Sequence, residues 1–373
     1  MMKRNLLLGL CVGLICTSGM VHAMDATVTI FHDSIKNKAG LDTPNTGVKA
    51  TLLAAATKLK TGEEKDTTAA EARVLALTDD AGNTPLIMAC EFGPLEVVKF
   101  LVDEKKADVK IANGLTGDTP LFVASEKGLL EVVKFLVTDK KADVNAAKAV
   151  SLVTPLHLSL KNPDPKVFEF FLANGANSAA KNSDGWIPLH TACSENRLDA
   201  VKTLVAKDKG LVNVLNNDKE TPLFQACQSG SKDIVQLLID NGANVKQKSF
   251  NQSTPLHKAC LVGAYDVAEA LLKGGADVNV VMDLLGTPLH RAIEKGHDNI
   301  VKLLLEHGAD LTLKNAKGQT PIALPPLKGK ADVIKKLLEK ALTDKLEKEK
   351  LAKELQEKLA SLSFSFGALA GKH

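Results

Sequence analysis

Apolar residues in this 373-residue chain recur every three or four positions, in stretches too short to be long helices and repeatedly broken by Gly, Asn or Pro. Thr254–Gly286 carries the clearest copy. It opens with Thr-Pro-Leu-His and holds two apolar runs, Leu256–Leu261 and Val267–Leu272, broken near Gly263 and stopped at Gly274-Gly275. Thr254 suits an N-cap, and Pro255 the first helical position, where its missing N–H is not needed. Gly275 suits a left-handed C-cap. The pattern predicts helix, turn, helix, then an extended Ala276–Val280 leading to the next Thr-Pro-Leu. Neither helix is long enough to hide its apolar stripe alone, so the unit needs neighbours.

The neighbours are in the chain. Thr-Pro-Leu recurs at Thr84, Thr119, Thr154, Thr221, Thr254 and Thr287, Thr-Pro-Ile stands at Thr320, and Ile187-Pro188-Leu189-His190 fills the one gap. Successive steps are 35, 35, 33, 34, 33, 33 and 33 residues. The second half repeats too, as LEVVKFLVDEKKADV from Leu95, LEVVKFLVTDKKADV from Leu130, DIVQLLIDNGANV from Asp233 and NIVKLLLEHGADL from Asn299. A period near 33 with Thr-Pro-Leu-His-x-Ala resembles the ankyrin repeat. The resemblance covers Thr84–Leu338, about eight units. It implies an all-α fold: a solenoid of helix pairs with short β-hairpin fingers, ended by an N-terminal helical cap and a C-terminal amphipathic helix. It also implies a non-enzymatic protein that binds other proteins on the concave side.

Composition narrows this further. The chain is 45% hydrophobic but only 4% aromatic, which suits thin layers of Ala, Gly, Leu and Val. Residues 1–23 read as a signal peptide: Lys3 and Arg4, an apolar run Leu6–Cys16, then Val21-His22-Ala23 before Met24. That run is about half the length of a spanning helix, and the alternative is an uncleaved anchor. The expected route is general secretion, to the periplasm or outside the cell, with no membrane insertion once the signal is removed. Losing Lys3 and Arg4 takes the formal charge from +3 to +1, which offers no attraction to nucleic acid.

Candidate chemistry is thin. Cys90, Cys193, Cys227 and Cys260 share one slot in successive first helices. Layers spaced roughly 8–10 Å apart exceed the Cα separation of about 7 Å that a disulfide allows, so buried free thiols are expected. The same spacing argues against metal at His157, His190, His257 and His290. These look like the ankyrin histidine that hydrogen-bonds neighbouring loops. No Gly-x-Ser-x-Gly, His-Glu-x-x-His or Cys-x-x-Cys occurs. GALAGK at 367–372 is a residue short of a phosphate loop, and Asn251-Gln252-Ser253 is a formal glycosylation triplet. No enzyme activity and no cofactor are expected.

Residues 24–46 read as a linker and 47–83 as a degenerate capping repeat without its Thr-Pro-Leu. The ankyrin domain spans 84–340, with Pro163 and Pro165 placed in a turn or helix start, and with Pro325-Pro326 cutting the last first helix short. Residues 341–373 hold an amphipathic helix and a flexible tail. Its leucines, Leu338, Leu342, Leu346, Leu351, Leu355, Leu359 and Leu362, fall at steps of four, four, five, four, four and three. Two readings stay open: a cap folded on the last repeat, or self-association through residues 341–362.

Function then rests on exposed surface. Carried over from the family, the partner-binding positions are those before Thr-Pro-Leu and just past the Ala-Ala or Ala-Cys of the first helix. On this chain they include Phe92, Leu115, Asp118, Glu126, Trp186, Glu195, Gln228, Phe250, Leu261, Val262, Leu284 and Glu294. The expected role is a protein-interaction scaffold, in one version a secreted bacterial effector acting on host proteins. The alternatives are a periplasmic accessory to another enzyme, for example in oxidative-stress defence, or a self-assembling structural protein.

Overall fold

The computed structural model describes Thr78 and residues 82–92, 95–324 and 330–370. The stretches read as signal segment and linker, most of the one read as a capping repeat, and Pro325-Pro326 lie outside them. The described residues form fifteen α-helices, with short 3-10 and π turns. They fall into two compact units, divided at Val150 and Ser151.

In the first unit α1 (Pro85–Phe92) lies beside α3 (Pro120–Lys127), and α2 (Leu95–Lys99) beside α4 (Leu130–Lys134). Both second helices end in a π turn, Phe100–Glu104 and Phe135–Asp139, in which Lys105 and Lys140 donate to carbonyls five residues back. The chain then turns left-handed at Lys106 and Lys141. This accounts for the first 35-residue step. One residue beyond 33 enters the π turn. The other enters the finger, where Asn113 stands six residues before Thr119 rather than five, as Asn216 does before Thr221.

The second unit holds the regular repeats. The first helices are α5 (Pro155–Ser159), α7 (Pro188–Ser194), α9 (Pro222–Ser229), α11 (Pro255–Val262) and α13 (Pro288–Lys295). The second helices are α6 (Lys166–Ala173), α8 (Leu198–Lys207), α10 (Lys232–Asp240), α12 (Tyr265–Lys273) and α14 (Asp298–Glu306). Each row packs side by side, and α15 (Ala331–Ala370) closes on α14. Leu189, Leu223, Leu256 and Leu289, from Thr-Pro-Leu or its equivalent, are fully buried between the rows. Val201, Val235, Leu271 and Val301 of the second helices are fully buried as well. Pro165 stands just ahead of α6, consistent with its fixed φ. In the last repeat the described residues after Thr320 form a 3-10 turn, Pro321–Ala323.

Two expectations change. The fingers are not β-hairpins: among the described residues no strand forms, and a single isolated bridge joins Met282 and Gly286. The C-terminal helix begins at Ala331 and runs as one element to Ala370, through the stretch expected to be a tail.

Candidate functional site

Three of the fingers are tight turns held by an asparagine side chain. Asn182 Oδ1 accepts from the backbone N–H groups of Asp184 (3.0 Å) and Trp186 (2.8 Å). Asn216 does the same for Asp218 and Glu220, and Asn315 for Lys317 and Gln319. The carboxamide works beside one backbone bond, in which the asparagine N–H donates to the carbonyl of Trp186, Glu220 or Gln319. This asparagine stands five residues before the Thr-Pro or Ile-Pro pair at 182, 216 and 315, whereas Ser249 and Met282 hold the position in the two fingers between them.

Histidine joins four of the fingers, at Trp186, Glu220, Gly286 and Gln319, to the repeat before, while Phe224 stands in the slot ahead of the Phe250 finger. His257 Nδ1 accepts from the backbone N–H (3.1 Å) and hydroxyl (2.8 Å) of Thr254, leaving Nε2–H to donate to the Gly286 carbonyl of the next finger (3.2 Å). His290 repeats this with Thr287 and Gln319, and His157 with Thr154 and Trp186. Where Ile187 replaces Thr, His190 takes only the backbone N–H (3.3 Å) and donates to Glu220 (3.2 Å). Burial pulls His190 and His257 down to about 4, partly offset by the hydrogen bonds to the carbonyls of Glu220 and Gly286. These rings are neutral ties between layers.

Backbone bonds add a second tie at the tips. Ser183 donates to Ser151, Asn217 to Asp184, Phe250 to Asp218 and Asp283 to Asn251, at 2.8–3.2 Å. Phe250, 60% exposed, and Leu284, 70% exposed, therefore stand on adjoining, fixed fingers. Lys219 Nζ sits 4.5 Å from the Phe250 ring centre, and Leu285 is exposed beside Leu284. Neither Lys219 nor Leu285 was singled out from the sequence.

The other candidate positions divide. Glu195, Gln228, Val262 and Glu294 are exposed, at or just past the ends of α7, α9, α11 and α13. Leu261 is half-buried, and Glu294 takes an ion pair from the buried Arg291. Trp186 is half-buried and stacks on His190, with ring centres 5.9 Å apart. In the first unit Leu115 is exposed, while Asp118 is half-buried and ion-paired to Lys148. Glu126 is half-buried there, and the Phe92 side chain lies outside the described residues. Below the fingers of the second unit, Lys258 pairs with Glu220 at 3.2 Å, and Gln225 donates to the same carboxylate.

Among the described residues no three His, Cys, Asp or Glu side chains gather as metal ligands. Cys90, Cys193, Cys227 and Cys260 are free and buried. Burial pushes Cys90 up to about 12 and raises the other three thiols as well.

Stacked helix pairs tied through a Thr-Pro-Leu-His histidine define a repeat protein. The family model for ankyrin repeats (3 copies) matches residues 44–148, 151–214 and 207–282, and that for ankyrin repeats (many copies) matches 281–324. The chain belongs to the ankyrin-repeat family. It is 34% identical over 165 residues to the probable 26S proteasome regulatory subunit p28 of Saccharomyces cerevisiae, covering 43% of this chain and 56% of that protein. It is 32% identical over 93 residues to human ankyrin repeat and SOCS box protein 11, covering 25% of this chain and 28% of that one. The crystal structure of the human ASB11 ankyrin repeat domain superposes with a TM-score of 0.51 at 25% identity, covering 58% of this chain and 96% of that domain. The match thus spans about half of the yeast relative and less of the human one.

Proposed function

We propose that the chain is a non-enzymatic scaffold that holds a protein partner against the finger face of residues 151–324. The observation that carries this is the pair Phe250 and Leu284, large apolar side chains exposed on a rigid frame. Backbone bonds at both tips, with Asn251 accepting from Ser253 N–H in the first finger and the His257 tie to Gly286 in the second, already fix these two fingers, so a partner docking there orders little and keeps most of the contact free energy. A side chain such as Phe250, with Lys219 over its ring, has the makings of an interface anchor. The yeast relative's name, a probable proteasome regulatory subunit, supports work within an assembly.

Export through the general secretory route, to the periplasm or beyond, is the second part of the proposal. The charged start, apolar run and small-residue site of residues 1–23 support it. The test uses full-length protein as bait in an extract of its own compartment, beside a Phe250→Ser/Leu284→Ser variant. A protein kept by the first and lost by the second, with equal urea midpoints, is the expected result. Failure to retain any specific protein, or equal retention by both baits, would refute the assignment.

A further inference from the structure

The apolar stripe that docks α15 leaves the packed face by Leu346. Ile334 and Leu338 are buried where α15 packs on α14, and Lys345 pairs with Asp310 at 3.7 Å. A step of four residues overshoots a full helical turn by about 40°, so the leucines walk off the packed face. Exposure climbs from 4% at Leu338 to 36% at Leu342 and 57% at Leu346. The step of five to Leu351 swings about 140° further round. Beyond it the spacing changes: Ala352, Leu355, Leu359, Leu362, Phe366 and Leu369 follow at steps of three, four, three, four and three, and the helix backbone continues to Ala370. Alternating threes and fours average 3.5, the period of a left-handed two-helix seam rather than of a helix lying on a repeat flank. Leu351 and Leu355, at its start, are exposed.

We propose that residues 351–370 pair with the same segment of a second copy of this chain, as a parallel two-stranded coiled coil. A seam of this period needs a partner helix of the same pitch, over roughly three heptads. The described repeat helices are five to ten residues long and cannot supply one. A second copy brings a helix of the required length with an identical seam. Its charges allow the pairing. With Ala352, Leu359 and Phe366 at the first core position of each heptad, and Leu355, Leu362 and Leu369 at the second, the flanking positions that meet across a parallel pair are Leu351 with Gln356, Lys358 with Ser363 and Ser365 with Ala370. No like charges face each other. The Lys and Glu residues upstream satisfy one another within their own helix, as Lys350 and Glu354 do at 4.0 Å. The pairing leaves the fingers free and stands apart from the scaffold reading.

Sedimentation equilibrium of the full chain across the micromolar range tests it. The expected result is twice the monomer mass at the upper end, with association at least tenfold weaker in full-length Leu355→Lys/Leu362→Lys and an unchanged urea midpoint for the repeats. A monomer throughout, or a dimer that survives both substitutions, would overturn the proposal. Orientation has its own readout. Ala352→Cys in the full chain should form an intermolecular disulfide under mild oxidation, and a dimer that fails to cross-link there would overturn the parallel arrangement.

Discussion

Histidines 157, 190, 257 and 290 use both ring nitrogens, one turned back on their own helix start and one reaching the next finger. Protonating Nδ1 removes the acceptor that holds the N-cap backbone. The unfolded value is near 6.5 and the folded one about 4 for His190 and His257, so neutrality costs nothing above pH 6.5. As pH falls through that window the unfolded chain binds the extra protons. Stability should therefore drop between pH 6.5 and 4 by up to about 3 kcal/mol per histidine, then level off. Urea midpoints at about pH 7.5 and about pH 4.5 measure the slope. His257→Phe should flatten it, because Phe224 already fills the equivalent slot. The residue scale was only half legible. Thr-Pro-Leu-His announced both the N-cap and the tie, and beside histidine the threonine hydroxyl also bonds the ring. Thr84, with Ile87 in the histidine slot, does accept, from the Ile87 N–H at 3.4 Å. Thr221, with Phe224 there, leaves a buried hydroxyl without a hydrogen-bond partner. Thr254→Val should thus cost about 1 kcal/mol and Thr221→Val nothing. Equal losses in urea melts would argue against the histidine bond. Trp186 could not be read from the sequence, since its stacking on His190 depends on a turn geometry that spacing alone does not fix.

The element that differs most from expectation is the finger. The ankyrin resemblance implied β-hairpin fingers, yet among the described residues no strand forms, and at Asn182, Asn216 and Asn315 a side chain supplies the acceptor for two backbone N–H groups. Gly185 shows how closely the turns are stacked. Its φ is +77°, and a Cβ there would stand 2.5 Å from Asn217 Oδ1 and 2.8 Å from Asn217 N. Gly175 has a similar φ of +80° with open space around it. Gly185→Ala should cost about 2 kcal/mol or more and Gly175→Ala about 1 kcal/mol, since only the first adds a clash to the strain. Comparable losses in thermal melts would deny the tight finger ladder. Helix positions were legible because Thr-Pro starts and apolar spacing are local signals. The π turns were not, although the 35-residue steps marked where extra residues had to go. The shared cysteine slot was legible as well. Cys90, Cys193, Cys227 and Cys260 should resist a thiol reagent in native protein and all react in denaturant, whereas prompt native labelling would contradict their burial.

At the scale of the whole molecule, the repeat count and its register came straight from the period, because each layer touches only its neighbours. The site did not. Its positions followed from the family, but exposure separated Phe250 and Leu284 from Trp186, Leu261 and Asp118, and exposure depends on packing between layers. The central claim is that finger tips already fixed by their own bonds present an apolar surface to a protein. Hydrogen exchange on the partner complex, read peptide by peptide, tests it most directly. The account predicts added protection at residues 183–184, 217–219, 250–252 and 283–285, with little change along α10, α12 and α14. Protection concentrated on those second helices, or none in the finger segments, would contradict it.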